Sequence, residues 1–384
     1  MYASRVKTLV CAFALIATPI NASDLSASGK GSFGHVVFVK GDVTHTRFFS
    51  IVNPPKKGAV VTEGDVFTTG EDGFVSISFP SGASVNIQPV SRISITDVDC
   101  SDGVEQCNIA LNAEQGEVHS NVNPRSPDER PINFRVVTPY LSAAVRGTSF
   151  YVDSDQNVDR LGVTSGLVAT SANGATNNLP EGKGIKAVMG EEPVIVDLLS
   201  PPEFSLPPTC RENFVISNED IVHWRAVPGA EKYQLTYSTD STMVDPVSIE
   251  KVADVFTDPA VIAPGEYFVS VRGIDKQGFP GLSDSANVTV ASVMETEALE
   301  LVIFQEGNTV EVSTPDYNDA VELQLSNSIG STNVSCRNIK NLSDGISLQL
   351  DSRKSWVLRA RKILGKTTVS RYSSDYLLKA LENP

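Results

Sequence analysis

Histidine, cysteine and tryptophan are scarce in this chain of 384 residues, which holds four His, five Cys and two Trp. So few metal- and redox-capable side chains argue against a large metal or redox enzyme. Basic residues are also in the minority, with 31 Lys plus Arg against 46 Asp plus Glu and a formal charge of −15. An acidic chain of this kind would repel a phosphate backbone, so we expect no nucleic-acid partner.

Motifs of the common enzyme classes are missing as well. The chain has no Gly-x-Ser-x-Gly, no Walker loop, no dinucleotide-binding glycine fingerprint and no His-Glu-x-x-His. The histidines stand far apart, and we expect cross-strand or surface positions for all of them: His35, His45, His119 and His223. We therefore predict no enzyme and no cofactor. A glycan-cleaving enzyme stays an alternative, because paired carboxylates need only meet in space.

The one long hydrophobic run lies near the start of the chain. Arg5 and Lys7 precede the apolar residues 9–20, and small residues follow at 21–23. This order is typical of a secretory signal peptide, which we place at residues 1–22. The run is shorter than the ~20 residues of a membrane-spanning helix. An uncleaved N-terminal anchor is the alternative, but we expect a soluble, exported chain.

Export allows the remaining cysteines to pair. Cys100, Cys107, Cys210 and Cys336 form an even set with three possible pairings. Cys100 and Cys107 flank a polar, turn-like hexapeptide, and we expect them to close a hairpin-like loop. In the chain-entropy model such a short loop stabilises the fold by roughly 2–3 kcal/mol. Cys210 and Cys336 would then link two domains, or both are free thiols.

Short alternating runs fill residues 33–196. Phe74–Phe79 alternates before a turn at Gly82, and the segments Val85–Gln88 and Ile93–Ile95 show the same two-residue period. This period places one face of a strand on a core and the other in water. Apolar residues at helical spacing do not extend beyond a turn or two. We therefore predict an all-β fold.

A proline-rich segment at residues 197–209 follows, with four prolines among residues 200–208. Such a composition favours a stiff, extended linker. Beyond it, residues 210–293 and 297–384 resemble each other. Trp224 and Val312 are 88 residues apart, as are Tyr233 and Val321. Tandem domains of this size match seven-stranded β-sandwiches.

Short blocks of the first region occur in a specific order: Gly64–Gly70, Gly73–Val75, Pro80–Val85, Gly116–Val118, Thr138–Pro139, Val145–Val152, Val163–Val168 and Gly182–Gly184. In this order the region resembles the periplasmic FecR domain, named for regulators of iron-citrate transport. The two repeats resemble fibronectin type III domains, mainly through Trp224, Tyr233 and Tyr267. The resemblance implies a FecR-like β domain followed by two fibronectin type III-like sandwiches.

The family-motif residues should act mainly in the architecture of the FecR-like domain: Gly64, Asp65, Gly70, Gly82, Thr138, Pro139, Arg146, Gly147, Thr148 and Phe150. Glycine and aspartate supply the backbone freedom and self-bonding that tight turns require. Arg146 has two interpretations, because a guanidinium binds either nearby carbonyls or an anionic ligand or partner group.

Two further segments are candidate sites. Oxygen-bearing side chains alternate along one stretch, as in a calcium loop: Asp153, Asp155, Asn157 and Asp159. Val158 replaces the expected glycine and Thr164 the expected glutamate, so an ordinary hairpin is favoured and no metal is predicted. In the basic C-terminal region, Arg359 and Arg361 share one face of a strand. That face is either solvated or binds an acidic partner or lipid headgroups.

The resemblance implies a secreted, non-catalytic periplasmic protein that binds an envelope or membrane protein partner, such as a sensor, in signal transduction. Regulators of iron transport carry a cytoplasmic anti-sigma segment and a membrane span before this domain, whereas here a signal peptide and a short segment precede it. Direct sigma-factor control is therefore not expected. The alternative is a structural cell-envelope scaffold that binds peptidoglycan or polysaccharide.

Overall fold

A computed structural model describes most of the chain after residue 32. The described residues are 33–47, 50–52, 54–101, 104–124, 126, 128–205, 214–217, 222–241, 243, 246–257, 262–297, 299–327, 334–351 and 354–378. The predicted signal peptide and Cys210 lie outside them. Every regular element in these ranges is a β-strand, which confirms the all-β prediction. None of these residues forms a helix that is long and apolar enough to cross a membrane.

The first domain contains the strands that alternation predicts. The strands are β1 Gly34–Lys40, β2 Val43–Arg47, β3 Ser50–Val52, β4 Val60–Val61, β5 Asp65–Thr69, β6 Phe74–Ser78, β7 Ser84–Ile87, β8 Arg92–Asp99, β9 Cys107–Asn121, β10 Ile132–Val137, β11 Leu141–Val145, β12 Ser149–Asp155, β13 Val158–Ser165, β14 Leu167–Ala172, β15 Ala175–Pro180, β16 Lys183–Val188 and β17 Val194–Asp197. Alternating buried and exposed residues mark several of these strands, β10 and β14 among them.

These strands form two sheets that share β9. Sheet A has the order β4-β1-β6-β7-β9-β12-β13-β16-β17. Sheet B has the order β3-β2-β5-β8-β9-β10-β11-β14-β15. The first half of β9 pairs with β8 and β10, and its second half pairs with β7 and β12. Inward-facing apolar residues from both sheets make one continuous core.

A disulfide connects Cys100 to Cys107, as the sequence predicts, with 4.2 Å between the two Cα atoms. It closes the loop between β8 and β9. Arg130 donates hydrogen bonds to the carbonyl oxygens of Cys100 and Ser101, at 2.8 and 2.6 Å. The covalent bond and the arginine therefore hold the same turn.

The second domain has the strand arrangement of a fibronectin type III sandwich. Its strands are β18 Phe204–Ser205, β19 Phe214–Ser217, β20 Val222–Trp224, β21 Ala230–Ser238, β22 Pro246–Val252, β23 Phe256–Thr257, β24 Gly265–Asp275 and β25 Pro280–Met294. One sheet is β18-β20-β23, and the other is β22-β21-β24-β25 with β19 parallel to β25. Trp224 and Tyr233 pack in the core between them, as the resemblance implies.

The third domain repeats this plan. Its strands are β26 Val302–Glu306, β27 Thr309–Ser313, β28 Val321–Ser326, β29 Val334–Ile339, β30 Ile346–Gln349, β31 Trp356–Gly365, β32 Thr368–Ser370 and β33 Tyr376–Leu378. The sheets are β26-β27-β30 and β29-β28-β31-β33. The end of β25 continues past the second domain and pairs in parallel with β32, which joins the two sandwiches through backbone hydrogen bonds.

The described part of the proline-rich segment is packed rather than free. Leu198 is buried against the first two domains, and the carbonyl of Leu199 accepts a 2.9 Å hydrogen bond from the amide of Leu282. Phe204 then pairs with Trp224 as the first strand of the second domain. Pro201 and Pro202 thus lie in a segment whose course through Ser205 is fixed by packing against the second domain.

Removing the disulfide should weaken the first domain by an amount set by its short loop. We expect the Cys100→Ser/Cys107→Ser double variant to lose about 2–3 kcal/mol of unfolding free energy in urea denaturation. Added reductant should destabilise the wild-type protein by the same amount and leave the variant unchanged. Equal stability of wild type and variant in oxidising buffer would contradict this expectation.

Candidate functional site

Most family-motif residues of the first domain form its turns. Gly64 adopts a positive φ of 86° before β5, and its amide donates to the carbonyl of Ile95 at 2.9 Å. Gly82 forms the turn after β6, with a φ of 80°. Gly147 has the same φ, and a Cβ on it would lie 2.7 Å from the Cα of Pro124. At these positions a side chain would strain the backbone or overlap a neighbour.

Asp65 is the centre of a buried ionic group on sheet B. Its side chain is 0% exposed, and it accepts hydrogen bonds from Arg47 Nε and Nη2 at 2.5 and 2.8 Å. His45 Nε2 lies 3.0 Å away, and the amide of Thr62 donates at 2.8 Å. Burial opposes ionisation, but the bonds from Arg47, His45 and Thr62 outweigh it and hold the pKa of Asp65 well below its usual range. The arrangement stabilises the turn before β5.

The remaining motif residues are also structural. Thr138 Oγ1 bonds to the carbonyl of Leu141 at 3.0 Å and to the buried carboxylate of Asp159. Thr148 donates to the carbonyl of Leu167 at 2.9 Å, and Phe150 packs edge-on against Phe134. The amide of Gly70 donates to the backbone carbonyl of Asp42. Pro139 is exposed and lies in a turn.

Arg146 differs from all the other motif residues. It is exposed in the turn between β11 and β12, and it makes no hydrogen bond or ion pair within the described part of the chain. Beside it lies a cavity of about 260 Å³ that Asn123, Glu129, Pro131 and Ile132 also line. The expected bond to nearby turn carbonyls is therefore not made, and the guanidinium faces solvent.

The prediction of a solvated face at Arg359 and Arg361 is wrong for Arg361. Its side chain is 1% exposed and pairs with the fully buried Glu322 at 3.1 Å. Arg359 bonds to Gln324 at 3.0 Å, and its guanidinium lies 4.0 Å from the ring centre of Tyr372. The two arginines do share one face, but that face carries a buried polar network. Because its side chain is buried, Arg361 is not available at the surface.

The calcium-like stretch forms the ordinary hairpin between β12 and β13. Asp153 pairs with Arg160 at 2.8 Å, and Asp159 points inward to Thr138 and to the amide of Tyr140. Among the described residues no group of three or more His, Cys, Asp or Glu side chains is placed to hold a metal. Cys336 lies in β29, and its proposed partner Cys210 lies outside the described residues.

The first two domains meet in an interface that the sequence did not reveal. The outer face of sheet A packs against the β22-β21-β24-β25 sheet. The Tyr151 hydroxyl donates to the carbonyl of Pro280 at 2.8 Å, and Arg160 Nε donates to that of Gln277 at 2.7 Å. Asn86 Nδ2 donates to the carbonyl of Met243 at 3.1 Å. The two domains are thus linked at several separate points.

Two glycines of sheet A lie at the centre of this interface. Gly162 on β13 and Gly184 on β16 are register partners in sheet A. A Cβ at Gly162 would overlap the ring of Tyr151, and one at Gly184 would lie 2.9 Å from the ring of Phe279. Tyr151, Phe279 and Leu198 form the apolar centre of the contact. A glycine within a strand often marks a place where another part of the protein approaches the backbone closely, and Gly162 and Gly184 are such glycines.

Four polar side chains lie beside this apolar centre, and we call them the interdomain cluster: Glu117, His119, Gln234 and Arg272. His119 Nε2 lies 2.5 Å from Glu117 Oε1, and Arg272 Nη2 lies 3.2 Å from His119 Nε2 and 3.4 Å from Glu117. Arg272 also donates to Gln234 Oε1 at 3.0 Å. The side chains of Glu117 and Arg272 are 14% and 11% exposed.

Burial and charge shift the pKa values in the cluster. Burial opposes the ionisation of Glu117, but the charges of His119 and Arg272 overcome it and lower its pKa from 4.5 to about 2. Burial, together with Arg272, lowers the pKa of His119 below 6.5, although Glu117 works against this shift. Burial raises the pKa of Tyr151 well above 10.0. At neutral pH the cluster therefore holds the Glu117 carboxylate beside the Arg272 guanidinium.

Comparison with known proteins identifies the first domain. The family model described as FecR protein matches residues 65–169. No curated protein matches the chain. The chain therefore contains a FecR domain, followed by two domains of fibronectin type III-like topology. FecR proteins are non-enzymatic signalling regulators that are typically membrane-associated, so the domain supports a signalling or regulatory role.

Solved structures show weaker similarity. Two structures of a candidate anti-sigma factor from Parabacteroides distasonis match with 18% identity and a TM-score of 0.29, covering 34% of this chain and 59% of that one. The present chain thus spans less than two thirds of its length. Chicken CNTN1 FN1–FN3 domains match with 9% identity and a TM-score of 0.22, covering 62% of this chain and 94% of theirs. A two-domain fibronectin type III segment of chicken tenascin has 14% identity, a TM-score of 0.19 and coverages of 48% and 99%. TM-scores of this size do not bear on function.

Acidification should weaken the docking of the first two domains in two steps. His119 faces Glu117, Arg272, Tyr151 and Lys251, and its pKa is lowered when the domains are docked. Below about pH 6.5 an undocked His119 takes up a proton that the docked one does not, so docking loses free energy as the pH falls. Glu117 adds a second loss between about pH 4.5 and pH 2. Hydrogen exchange of β24 between pH 8 and pH 4 measures the first step. His119→Gln should remove it, while His35→Gln, at an exposed position, should keep it. Identical profiles for wild type and His119→Gln would refute the assignment.

The buried network of the third domain gives a separate stability prediction. Arg361→Glu should place two carboxylates together in the core and unfold this domain, or lower its stability by at least about 3–5 kcal/mol. Arg371→Glu is the matched control, because Arg371 and its partner Glu295 are 58% and 81% exposed. It should cost no more than about 1 kcal/mol. Thermal denaturation followed by tryptophan fluorescence distinguishes the two, since Trp356 packs on this core.

Proposed function

We propose that this chain is a non-catalytic, extracytoplasmic signalling module whose FecR domain recognises an envelope or membrane protein partner. The single observation that carries the proposal is Arg146. It lies inside the matched FecR segment, it is exposed, and it makes no polar contact within the described residues. Its neighbours in the motif, by contrast, are all used in turns or in the core.

The surroundings of Arg146 fit a protein partner. Pro131 and Ile132 give the adjoining cavity an apolar wall, and Asn123 adds a hydrogen-bonding group. Arginine is enriched at the energetic centres of protein interfaces, because its planar guanidinium makes several directed hydrogen bonds to carboxylates or carbonyls. An acidic side chain of the partner, flanked by an apolar residue, would complement the surface around Arg146.

The interface with the second domain supports a presenting role for the sandwiches. Sheet A of the FecR domain is covered on its outer face near Tyr151, whereas Arg146 lies in the turn before Ser149 and is exposed. The backbone pairing of β25 with β32 extends the connected structure into the third domain. The FecR domain is thus connected to the third domain through the second.

Charge reversal at Arg146 tests the proposal. We expect a photo-cross-linking residue at Asn123 to capture one membrane or envelope protein in intact cells, and Arg146→Glu to reduce that product at least about tenfold. Arg135→Glu is the matched control, because Arg135 is an exposed arginine on β10 of the same domain. Both variants should keep the unfolding free energy within about 0.5 kcal/mol of wild type.

Other results would contradict the proposal. A cross-link that survives Arg146→Glu would show that Arg146 does not contribute to the interface. Sedimentation with purified peptidoglycan, without a protein cross-link, would favour a structural scaffold. Release of sugars from envelope glycans would indicate an enzyme. Recovery of the protein inside the cytoplasm with residues 1–22 attached would exclude the extracytoplasmic location.

A further inference from the structure

A cavity of about 480 Å³ lies between the FecR domain and β22 of the second domain. Residues of β9, of β12 and of the turn after β7 line it on the FecR side, and Ile249 and Lys251 of β22 line it on the other. Ligand sites occur preferentially at domain interfaces, and pockets for small molecules measure about 300–1,000 Å³. The cavity is therefore large enough for a small organic ligand.

Acidic side chains predominate on the wall of this cavity. Lys251 is the one basic residue among the described residues that line it, against four acidic ones: Glu71, Glu117, Asp153 and Asp155. Glu71 and Asp155, which we call the outer carboxylates, are exposed and make no side-chain hydrogen bond or ion pair within the described part of the chain. Carboxylates also gather on the surfaces of acidic proteins, so their number alone does not define a site.

Gln88 supplies the observation that points to a ligand. The residue is 7% exposed, yet its side-chain amide makes no hydrogen bond within the described residues. Alternation along β7 buries Val85 and Ile87 in the core. It places Gln88 on the outer face of sheet A with Asn86, which bonds to the second domain. A buried amide left unpaired costs about 1–3 kcal/mol, so Gln88 lacks a partner on the cavity side.

Glu117 and Asp153 line the cavity beside Gln88, whose backbone amide donates to the carbonyl of Glu117 at 3.0 Å. The two acidic residues are register partners on β9 and β12, so their side chains lie on the same face of sheet A and repel each other. Arg272 lies 3.4 Å from Glu117, and Arg160 lies 2.8 Å from Asp153. Burial and the charge of Glu117 nevertheless raise the pKa of Asp153 above 3.8. The two arginines therefore do not fully balance the negative charge.

The charge balance of the cavity fits a ligand with two positive charges. Lys251 is exposed and has a long, flexible side chain, so a ligand can displace its ammonium group into water. The four carboxylates then face only Arg160 and Arg272, and two negative charges remain. A metal ion requires oxygen ligands that converge on one point, and the described residues contain no such group of three acidic side chains. A chain with an ammonium group at each end instead reaches carboxylates that lie apart.

We propose that this cavity binds a small organic diamine between the FecR domain and the second domain. One ammonium group donates to the amide oxygen of Gln88 and lies beside Glu117 and Asp153, and the other lies near the outer carboxylates. Ile249 supplies an apolar surface for the methylene chain. Because the ligand contacts both domains, its binding stabilises their docked arrangement. The site does not include Arg146, so this proposal and the proposed function can fail independently.

Calorimetric titration of the purified protein with putrescine and cadaverine tests the site. Butylamine, butanediol and Mg²⁺ are the comparisons, because they carry one ammonium group, no charge and an inorganic double charge. We expect at least one diamine to bind with a Kd of about 1 mM or tighter, and all three comparisons to bind at least about tenfold more weakly. The diamine that binds should also raise the midpoint of thermal unfolding.

Variants of the lining residues should change the diamine Kd in opposite directions. Glu71→Gln and Asp155→Asn should each weaken binding about threefold, because each removes one exposed charge pair. Gln88→Leu should weaken it about fivefold or more. Lys251→Gln should strengthen it about threefold, because a competing cation is removed. Glu192→Gln is the matched control, since it removes an exposed carboxylate of the same domain outside the cavity, and it should leave the Kd unchanged.

Several results would overturn the proposal. They are absence of diamine binding, equally tight binding of butylamine or Mg²⁺, and diamine binding that Glu71→Gln, Asp155→Asn and Gln88→Leu all leave unchanged. An equal loss of affinity in Glu192→Gln would also overturn it, because binding would then reflect the overall acidity of the chain rather than this cavity.

Discussion

The space left by Gly162 and Gly184 on sheet A, which the rings of Tyr151 and Phe279 occupy, is the constraint on which the arrangement of the first two domains depends. Because neither residue has a side chain, the rings of Tyr151 and Phe279 lie directly on sheet A. Aromatic rings bury a large apolar area, and this contact excludes water from its surroundings. The same contact sets the position of β24 opposite β9. The interdomain cluster lies beside this contact.

In the interdomain cluster, charged groups lose water, and their pairing fixes the relative orientation of the two domains. A buried charge is tolerated only when a partner of opposite sign and good hydrogen bonds replace its hydration. Glu117 and Arg272 belong to different domains, and each would be left uncompensated if the other moved away. Apolar packing thus brings the domains together, whereas the charged groups restrict them to one relative orientation. The network of Glu322, Arg361 and Tyr372 uses the same chemistry inside the third domain.

The sequence predicted local features well and contacts across domains poorly. Alternation around Phe74 and Val85 marked true strands, and the spacing of Trp224 and Val312 marked equivalent buried strands of two sandwiches. The disulfide was predictable because its loop is only six residues long. These predictions needed only neighbours along the chain or a repeated period.

The burial of Arg361 could not be predicted in that way. Its partner Glu322 lies 39 residues earlier on another strand, and an alternating pair of arginines on one strand is compatible with either face. The partners Glu117 and Arg272 are 155 residues apart and lie in different domains. Strand glycines at 162 and 184 did carry a signal of close approach, but nothing in the sequence indicated which ring would fill the space. The sequence left two roles open for Arg146, because its solvent exposure depends on the geometry of the turn.

One consequence follows from β9, the strand shared by both sheets of the FecR domain. Neither sheet is continuous until this strand is in place, and its partners range from β7 to β12 along the chain. Because these pairings join segments that are separated in the sequence, we expect folding to be slow compared with that of a helical domain. During that time β7, β8 and β12 expose edges that can pair with other chains. A newly made molecule of this protein is thus vulnerable to aggregation until Cys107–Asn121 has found both of its sheets.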